Sequence, residues 1–415
     1  MKSRLLLACL LFVCLIISCK KKTSSSFPFT GNIIAYAPVP VSKTVTKRVF
    51  AHILPWFETP SSNTLIPGAW GEHWTMTNQN PNIITNGQRQ IASNYYPLIG
   101  PYASGDTVVI DYQLLLMKLS GIDGVFIDWS GVGNDGGKNP DFPMIKHNTD
   151  VIVSRLGRVG LKYAIVYEDQ ALDYITDYVD SAKNDMAYLQ NNYFTDPNYE
   201  ILSGQPLLLN FGPQKIMTGV EWASVFSGLP IQPAFFPLWG FSKYATGVTT
   251  GEFAWINSDN FTSLNNFYNG TYSSYNPPVK ISSAYPGFNS FYAKGGESGP
   301  TWVINANGTT NFQQTLALAI QQNNNYIQLP TWNDYGEGTM IEPTTQFNYT
   351  LLTTLQQQLG VSSTLSQSDL QAVAQLYQLR QTNAGNPAAL AKLDQGFYFM
   401  ASLQMDSAKA LLASF

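Results

Sequence analysis

The sequence predicts an α/β fold, a (β/α)8 TIM barrel with a C-terminal helical extension. From about Arg48 onward, short apolar segments alternate with amphipathic segments over roughly 290 residues. Eight predicted strands favour a closed barrel over an open, doubly wound sheet. The open-sheet alternative is weakened further because no glycine fingerprint of the dinucleotide-binding type follows the first strand, and no phosphate loop ends in Gly-Lys-Ser/Thr.

The composition indicates a surface with few charges. Charged residues make up 12% of the 415 residues and the net charge is −4, whereas hydrophobic residues make up 44%. No basic surface for nucleic acid is indicated. A chain with 13% aromatic residues and so few charges is also unlike a disordered one. Amide, hydroxyl and aromatic side chains on the surface favour an uncharged polar ligand.

The first 18 residues resemble a bacterial lipoprotein signal peptide. Lys2 and Arg4 precede an apolar run over residues 5–17, which is shorter than the ~20 residues that a membrane span requires. Cys19 follows at the position of the cysteine that becomes lipidated in such signals. We therefore expect a lipid-anchored protein of the cell envelope, on the outer membrane or facing the periplasm. The alternative is an ordinary secretory signal in which Cys19 has no role.

Residues 19–47 read as a polar tether and N-terminal segment, and residues 48–415 as the folded catalytic body. All three cysteines precede residue 20, which excludes disulfides, cysteine-ligated zinc and thiol catalysis in that body. His52 and His73 are isolated, so neither a metal site nor a cofactor is predicted. An acidic loop such as residues 134–135 is the alternative, since it is of the kind that binds calcium.

The predicted strands are short runs rich in Val, Ile, Phe and Leu, as expected for parallel strands covered on both faces. They are Val49–Trp56, Gly124–Trp129, Leu161–Glu168, Pro206–Phe211, Ala234–Trp239, Phe253–Ile256, Val279–Ala284 and Tyr326–Trp332. The predicted helices between them are Asp111–Leu119, Met144–Val159, Leu172–Asn191, Lys215–Phe226, Ser258–Asn269 and Asn311–Gln322. From about Leu365, further helical segments form the C-terminal extension.

Carboxylates and large aromatic residues gather at the ends of these strands, where barrel enzymes place their catalytic groups. Asp128 and Trp129 end the second strand, and Tyr167 and Glu168 end the third. Aromatic faces pack against the C–H faces of sugars, and carboxylates bind hydroxyl groups. The predicted substrate-binding residues are Tyr96, Asp128, Trp129, Tyr167, Glu168, Trp239, Trp332 and Asn333.

Structural roles are the alternative for several of these residues. A carboxylate at a strand end, such as Asp128 or Asp169, is often a helix cap or an ion-pair partner. Trp129, Trp239 and Trp255 can be ordinary core between the strand and helix layers. A serine-based triad is not indicated, because the nearest candidate segment does not fit Gly-x-Ser-x-Gly.

Asp334 and Glu337, beyond the eighth strand, are the best catalytic pair. Glycoside hydrolysis needs one carboxyl group that gives a proton to the leaving oxygen and another that activates a nucleophile or stabilises positive charge. Residues three apart on a regular strand point to opposite faces. The chain must therefore turn between them, and Gly336 and Gly338 provide the freedom to do so.

The segment from Trp332 to Pro343 resembles the eighth-strand motif of glycoside hydrolase family 99, which contains endo-α-mannosidases and bacterial endo-α-mannanases. That motif is approximately Trp-Asn-Glu-Trp-His-Glu-Gly-Thr-x-Ile-Glu-Pro. The first half here, Trp-Asn-Asp-Tyr-Gly-Glu, is closer to family 71, the α-1,3-glucanases. Segments 96–102 and 121–129 are similar to the early barrel of this family group, so the resemblance covers most of residues 48–345.

The resemblance implies a role for each matching carboxylate. Glu337 matches the general acid, and Glu168 matches a carboxylate that contacts substrate hydroxyl groups. Asp334 matches a Glu that in family 99 is a base toward the sugar 2-hydroxyl, with retention through an anhydro sugar. In family 71 the residue is Asp, and inversion through an activated water is implied. Gly336 stands where family 99 has His, so specificity is left open.

The sequence thus predicts a surface glycoside hydrolase that cleaves α-linkages, in an endo manner, in a mannan or a glucan. A general acid must hold its proton near neutral pH, so we expect a raised pKa for Glu337 from a nearby carboxylate and partial burial. A non-catalytic glycan-binding lipoprotein on the same barrel is the alternative, and a lyase or transferase is a third. The sequence does not determine the sugar, the linkage, endo against exo action, the stereochemistry, the oligomeric state or the membrane face.

Overall fold

The computed structural model describes residues 32–133 and 142–415. The predicted signal peptide, Cys19, residues 20–31 of the predicted tether segment and the acidic loop at 134–135 lie outside the described residues. Among the helices in the two described ranges, none is both long enough and apolar enough to cross a membrane.

Eight parallel strands form the centre of the molecule. In chain order they are β1 Arg48–Ile53, β2 Gly124–Trp129, β3 Lys162–Tyr167, β4 Gln205–Asn210, β5 Ala234–Pro237, β6 Gly251–Phe253, β7 Val279–Ser283 and β8 Tyr326–Leu329. Continuous ladders join them in the order β5-β4-β3-β2-β1-β8-β7-β6. The first and last strands therefore lie side by side, with Phe50 paired to both Gly124 and Gln328.

The ring of strands closes between β5 and β6 through isolated contacts. Two parallel bridges pair Phe235 with Thr249 and Leu238 with Phe253. The amide of Trp239 donates to the carbonyl of Phe253 over 2.9 Å. The link between these two strands holds only a short 3-10 turn, Ser242–Tyr244. The predicted α/β fold is therefore confirmed in its general form, while the strict alternation of eight strands and eight helices is interrupted at this link.

Helices cover the outside of the sheet, and four more follow the last strand. They are α1 Thr107–Leu119, α2 Phe142–Val159, α3 Tyr178–Asn192, α4 Gly219–Phe226, α5 Phe261–Asn269, α6 Thr310–Gln321, α7 Thr350–Leu359, α8 Gln367–Thr382, α9 Pro387–Ala401 and α10 Met405–Leu412. The six predicted helices and the C-terminal helical extension are all present. The extension begins with α8, close to the predicted start.

Three predicted strands need correction, because each ends three residues earlier than predicted. The first ends at Ile53 and not at Trp56, the sixth is Gly251–Phe253 and not Phe253–Ile256, and the eighth ends at Leu329 and not at Trp332. A Cβ on Gly251 would lie 2.4 Å from a ring carbon of Phe236 and 2.4 Å from the carbonyl oxygen of Val279. Glycine is thus needed for the close approach of the strands. Because glycine has a low propensity for strands, the sequence does not indicate that a strand begins there.

The alternation of side chains along β2 and β3 decides what reaches the mouth of the ring. Trp129 and Tyr167 are register partners on these adjacent strands, so their side chains share one face. That face meets α3, where the Tyr167 hydroxyl donates to Asp185 over 2.6 Å and the Trp129 ring stacks on Tyr188. The preceding Asp128 and the following residue 168 therefore point to the opposite face, into the ring.

A buried ion network ties the C-terminal helices to the barrel. Asp111 of α1 accepts hydrogen bonds from Arg155 and Arg158 of α2 and from Arg380 of α8, over 2.6 to 3.3 Å. Arg380 also contacts the partly exposed Asp394 of α9. One carboxylate thus holds three helices together.

Candidate active site

Four carboxyl groups meet at the mouth of the ring. Asp128 ends β2, Glu168 follows β3, and Asp334 and Glu337 lie in the loop after β8. The charges of Glu168 and Asp334 both raise the pKa of Asp128, and those of Asp334 and Glu168 both raise the pKa of Glu337. The structure therefore brings the predicted catalytic pair together with two of the predicted substrate-binding residues.

The loop after β8 turns back on itself through side-chain and backbone contacts. The amide of Asp334 donates to Thr331 Oγ1 over 2.8 Å, and the amide of Glu337 donates to Asp334 Oδ1 over 2.8 Å. Gly338 has a φ of +66°, and a Cβ there would lie 2.6 Å from the carbonyl oxygen of Asn289. Only glycine satisfies both conditions, so the turn that the sequence required is present.

The environments of the two catalytic candidates favour different protonation states. Burial raises the pKa of Glu337 well above its ordinary value, and the charges of Asp334 and Glu168 raise it further. Burial also raises the pKa of Asp334, to about 6, but the amides of Glu337 and Gly336 and the charge of His73 oppose that rise. The predicted rise for Glu337 is confirmed. The surroundings therefore favour the protonated form more strongly at Glu337 than at Asp334.

Asp128 and Glu168 form a second pair that shares a proton. Burial raises the pKa of Asp128 well above its ordinary value, and the charge of Glu168 and a hydrogen bond with it add to the rise. Burial raises the pKa of Glu168 to about 7, and the hydrogen bond from Asp128 opposes this rise. Asp128 is thus the donor of the pair, and Glu168 is the acceptor.

Two small cavities lie beside these carboxyl groups. The first, of about 220 Å³, is lined by Trp56, Phe57, Glu72, His73, Met76, Tyr292, Glu297, Asp334 and Gly336. The second, of about 200 Å³, is lined by Ser130, Glu168, Gln170, Ala171, Asp173 and Tyr174. Glu337 interacts electrostatically with Asp334 of the first cavity and with Glu168 of the second. The pKa of the general-acid candidate thus depends on one carboxylate from each cavity.

A larger cavity of about 710 Å³ lies elsewhere, between the starts of α1 and α2 and the end of α8. Its lining includes Glu58, Asn148 and Tyr377, but none of the four carboxyl groups at the mouth of the ring. Cavity size therefore does not single out the mouth of the ring, where Asp334 lines the first small cavity and Glu168 lines the second.

Several predicted sugar platforms are wrong. Trp129, Tyr167 and Trp332 are fully buried, and Trp239 is 4% exposed with its ring stacked on Tyr272 at 4.4 Å. None of these rings has a free face for a sugar. The physical reason for Trp129 and Tyr167 is alternation along a strand: because Asp128 and Glu168 face the inside of the ring, their neighbours must face the helices.

Asn333 and Tyr96 have structural contacts. The Asn333 side chain accepts from the amide of Leu54 over 2.9 Å and donates to the carbonyl of Leu54 over 3.0 Å, so it fastens the loop after β8 to the end of β1. It is also buried, which corrects its predicted contact with substrate. The Tyr96 hydroxyl accepts from the amide of Arg89, and Tyr96 lines neither of the two cavities.

The aromatic and acidic residues that line the first cavity beside Asp334 were not predicted from the sequence. The ring of His73 stacks on Trp56 at 4.0 Å with an interplanar angle of 2°. Tyr292 and Glu297 belong to a loop beyond β7 that meets the loop after β8, where the amide of Phe291 donates to the carbonyl of Gly336. No strand end marks these positions. The Trp56-Phe57-Glu58 run after β1 was the one local signal that could have been used.

Metal binding has no support among residues 32–133 and 142–415, where no group of three or more His, Cys, Asp or Glu side chains is arranged to hold a metal ion. His52 is buried inside the ring against Trp255, and burial lowers its pKa to about 3. It is therefore a neutral core residue.

No family model matches the chain. A curated relative, the glycoprotein endo-α-1,2-mannosidase of Xenopus laevis, is 23% identical over 315 residues, which is 65% of this chain and 63% of the relative. The chain thus spans slightly less than two thirds of the length of that relative.

Solved structures share the fold at low sequence identity. The family 99 endo-α-mannosidase of Bacteroides thetaiotaomicron, with and without Bis-Tris propane, is 17% identical and covers 75% of this chain and 96% of its own. The TM-scores are 0.57 and 0.56. A protein described as glycoside hydrolase-like gives 0.55 at 13% identity, with 79% of this chain and 98% of the other covered.

The resemblance read from the motif after β8 is therefore confirmed for family 99, whereas the resemblance to family 71 stays a prediction. In sequence and in fold, this chain is similar to the endo-α-mannosidases of glycoside hydrolase family 99.

Proposed function

We propose that this protein is a glycoside hydrolase that cleaves internal α-linkages of a mannose-containing glycan, with Glu337 as general acid and Asp334 as its partner. The observation that carries the proposal is a tight turn that holds two buried carboxyl groups side by side, with the pKa of Glu337 raised well above its ordinary value and that of Asp334 raised to about 6. Pairs of carboxyl groups whose surroundings separate their pKa values are the pattern of acid–base catalysis. The similar proteins named endo-α-mannosidase favour mannan over glucan as the substrate.

Glu337 gives its proton to the leaving glycosidic oxygen, since burial and two neighbouring carboxylates keep it protonated. Asp334 is ionised, and its Oδ1 already accepts the amide of Glu337. The other oxygen is then the one that takes a proton from substrate or water. Asp128 and Glu168 bind substrate hydroxyl groups beside this pair, since one donates and the other accepts.

Two routes fit an ionised Asp334. If it removes the proton of the sugar 2-hydroxyl, that oxygen attacks C1 while the leaving oxygen takes the proton of Glu337, and an anhydro sugar forms. Water then opens the anhydro ring at C1, so the first product retains its anomeric configuration. If it activates a water, the product is inverted. NMR of the first-formed anomer distinguishes the two routes.

The test is hydrolysis of α-mannan and α-1,3-glucan oligosaccharides by the wild type and by Glu337→Gln. Loss of the general acid should lower kcat by about 10²–10⁴ while leaving the melting temperature close to that of the wild type. Glu221→Gln, a charge change on the outer helix α4, is the matched control and should retain full activity. Full turnover by E337Q would refute the assignment. Binding of the oligosaccharide without hydrolysis by the wild type would instead favour the non-catalytic glycan-binding alternative.

We further propose that Cys19 carries a lipid anchor that holds the protein at the cell envelope. The support is the sequence pattern of residues 1–19 alone. Cys19→Ala in the full chain should abolish metabolic labelling with a fatty-acid analogue and release the protein from the membrane fraction. Unchanged fractionation of the variant would contradict the anchor.

A further inference from the structure

The first cavity contains an acidic side chain that the proposed mechanism does not use. Glu297 is half-buried in the loop beyond β7, where its amide donates to the carbonyl of Tyr292 over 2.9 Å. Its Oε1 atom is buried, and within the described part of the chain it has no hydrogen-bond partner. Leaving a buried acceptor without a donor is unfavourable, so a ligand that supplies a donor would be stabilised there.

A second buried polar atom without a partner belongs to another residue that lines the same cavity. The indole Nε1 of Trp56 has no acceptor among the described residues. The Trp56 ring itself is held in place by stacking on His73. The residues that line the cavity thus include one unsatisfied donor and one unsatisfied acceptor. Sugar hydroxyl groups both donate and accept, so they match this pair.

The charges of the cavity restrict which sugar fits. Its lining includes the carboxyl groups of Glu72, Glu297 and Asp334, whereas His73 is the only basic side chain among its lining residues and no Lys or Arg belongs to it. The charge of Glu72 raises the pKa of Glu297, after the larger effect of burial. An acidic sugar would meet like charges here, and such contacts are a strong source of discrimination.

We propose that Glu297 and Trp56 form a specificity-determining subsite beside the catalytic pair, in which they bind hydroxyl groups of a neutral sugar unit, and that the Glu297 carboxylate excludes an acidic sugar. This inference rests on the proposed function of the same site. It adds two residues that do not take part in proton transfer and a discrimination against acidic sugars.

The test compares wild type, Glu297→Gln and Trp56→Phe on a neutral α-oligosaccharide and on the same oligosaccharide with its primary hydroxyl groups oxidised to carboxylates. E297Q keeps the size of the side chain and removes its charge, and W56F keeps an aromatic ring and removes the N–H. Each should raise KM for the neutral substrate about tenfold, the effect of one hydrogen bond to a charged or buried group. The kcat should stay within about threefold, because neither residue transfers a proton.

E297Q should also lower the preference, which is the ratio of kcat/KM for the neutral substrate to kcat/KM for the oxidised one. The control Glu221→Gln should leave both KM and this preference unchanged. A KM and a preference equal to those of the wild type would overturn the subsite. If the wild type hydrolyses neither substrate, the proposed function fails. The subsite is then judged by calorimetric titration of the neutral oligosaccharide, where equal affinity for wild type and E297Q overturns it and a loss of about tenfold supports it.

Discussion

Asp334 is expected to destabilise the fold when it is ionised, and removing its charge tests the electrostatics of the candidate site. Its side chain is 5% exposed, and burial raises its pKa from 3.8 to about 6. A shift of roughly two pKa units corresponds to about 3 kcal/mol. Because the pKa in the folded state is the higher one, the stabilising effect of the protonated form is complete below pH 3.8 and is lost as the pH rises through about 6.

Asp334→Asn keeps an oxygen that can accept the amide of Glu337 but cannot ionise. We expect D334N to be about 3 kcal/mol more stable than the wild type at about pH 8, with little difference at about pH 4. For a chain of this length, with an unfolding entropy of about 2 cal/mol/K per residue, the rise in Tm is about 4 °C. The same variant should have lost its hydrolytic activity.

The measurement is thermal or urea denaturation of both proteins at the two pH values. Asp173→Asn changes a carboxylate whose side chain is 47% exposed, so it should give no comparable change in the pH dependence of stability. A gain for D334N that is equal at both pH values, or a loss of stability at the higher one, would refute the reasoning. In either case the carboxylate would not be an ionised group in a desolvated site.

Two further predictions concern the acid–base pair and the ion network. The value of kcat/KM should rise with pH through about 6, because Asp334 must lose its proton while Glu337 keeps its own. A kcat/KM that does not change with pH across this range would contradict the assignment. Asp111→Asn should lower the free energy of unfolding by about 3–5 kcal/mol, because Arg380 loses a buried partner. Urea denaturation measures this loss, and Asp394→Asn, with a side chain 44% exposed, should lose less than about 1 kcal/mol. Equal losses in the two variants would show that Asp111 has no special role.

The fold followed from the sequence wherever a local pattern was sufficient. The apolar runs that became β1 to β5 are recognisable because parallel strands covered on both faces are continuously hydrophobic. The predicted start of the sixth strand was two residues too late, because the strand begins at Gly251. Glycine is needed there because Phe236 and Val279 approach its backbone closely. That approach is a property of neighbouring strands and leaves no mark in the local sequence.

The candidate site was predictable for its acids and not for its aromatic residues. Asp128, Glu168, Asp334 and Glu337 are close together because the ends of neighbouring parallel strands meet at one rim. Trp129 lies at the same strand end as its neighbour Asp128, yet its side chain faces the helices. Closeness to a strand end was therefore not a sufficient criterion, and the direction of each side chain had to be included.

The sequence by itself determined the order of the strands and helices, the position of the carboxylates at the strand ends and the glycines that allow the turn after β8, because each depends on residues close together in the chain. The tertiary structure alone decided that His73, Tyr292 and Glu297 line one cavity with Asp334. These residues come from segments far apart in the chain, and they come together only when the ring of strands closes. The shifted pKa values have the same origin, because burial and neighbouring charges are properties of the assembled site.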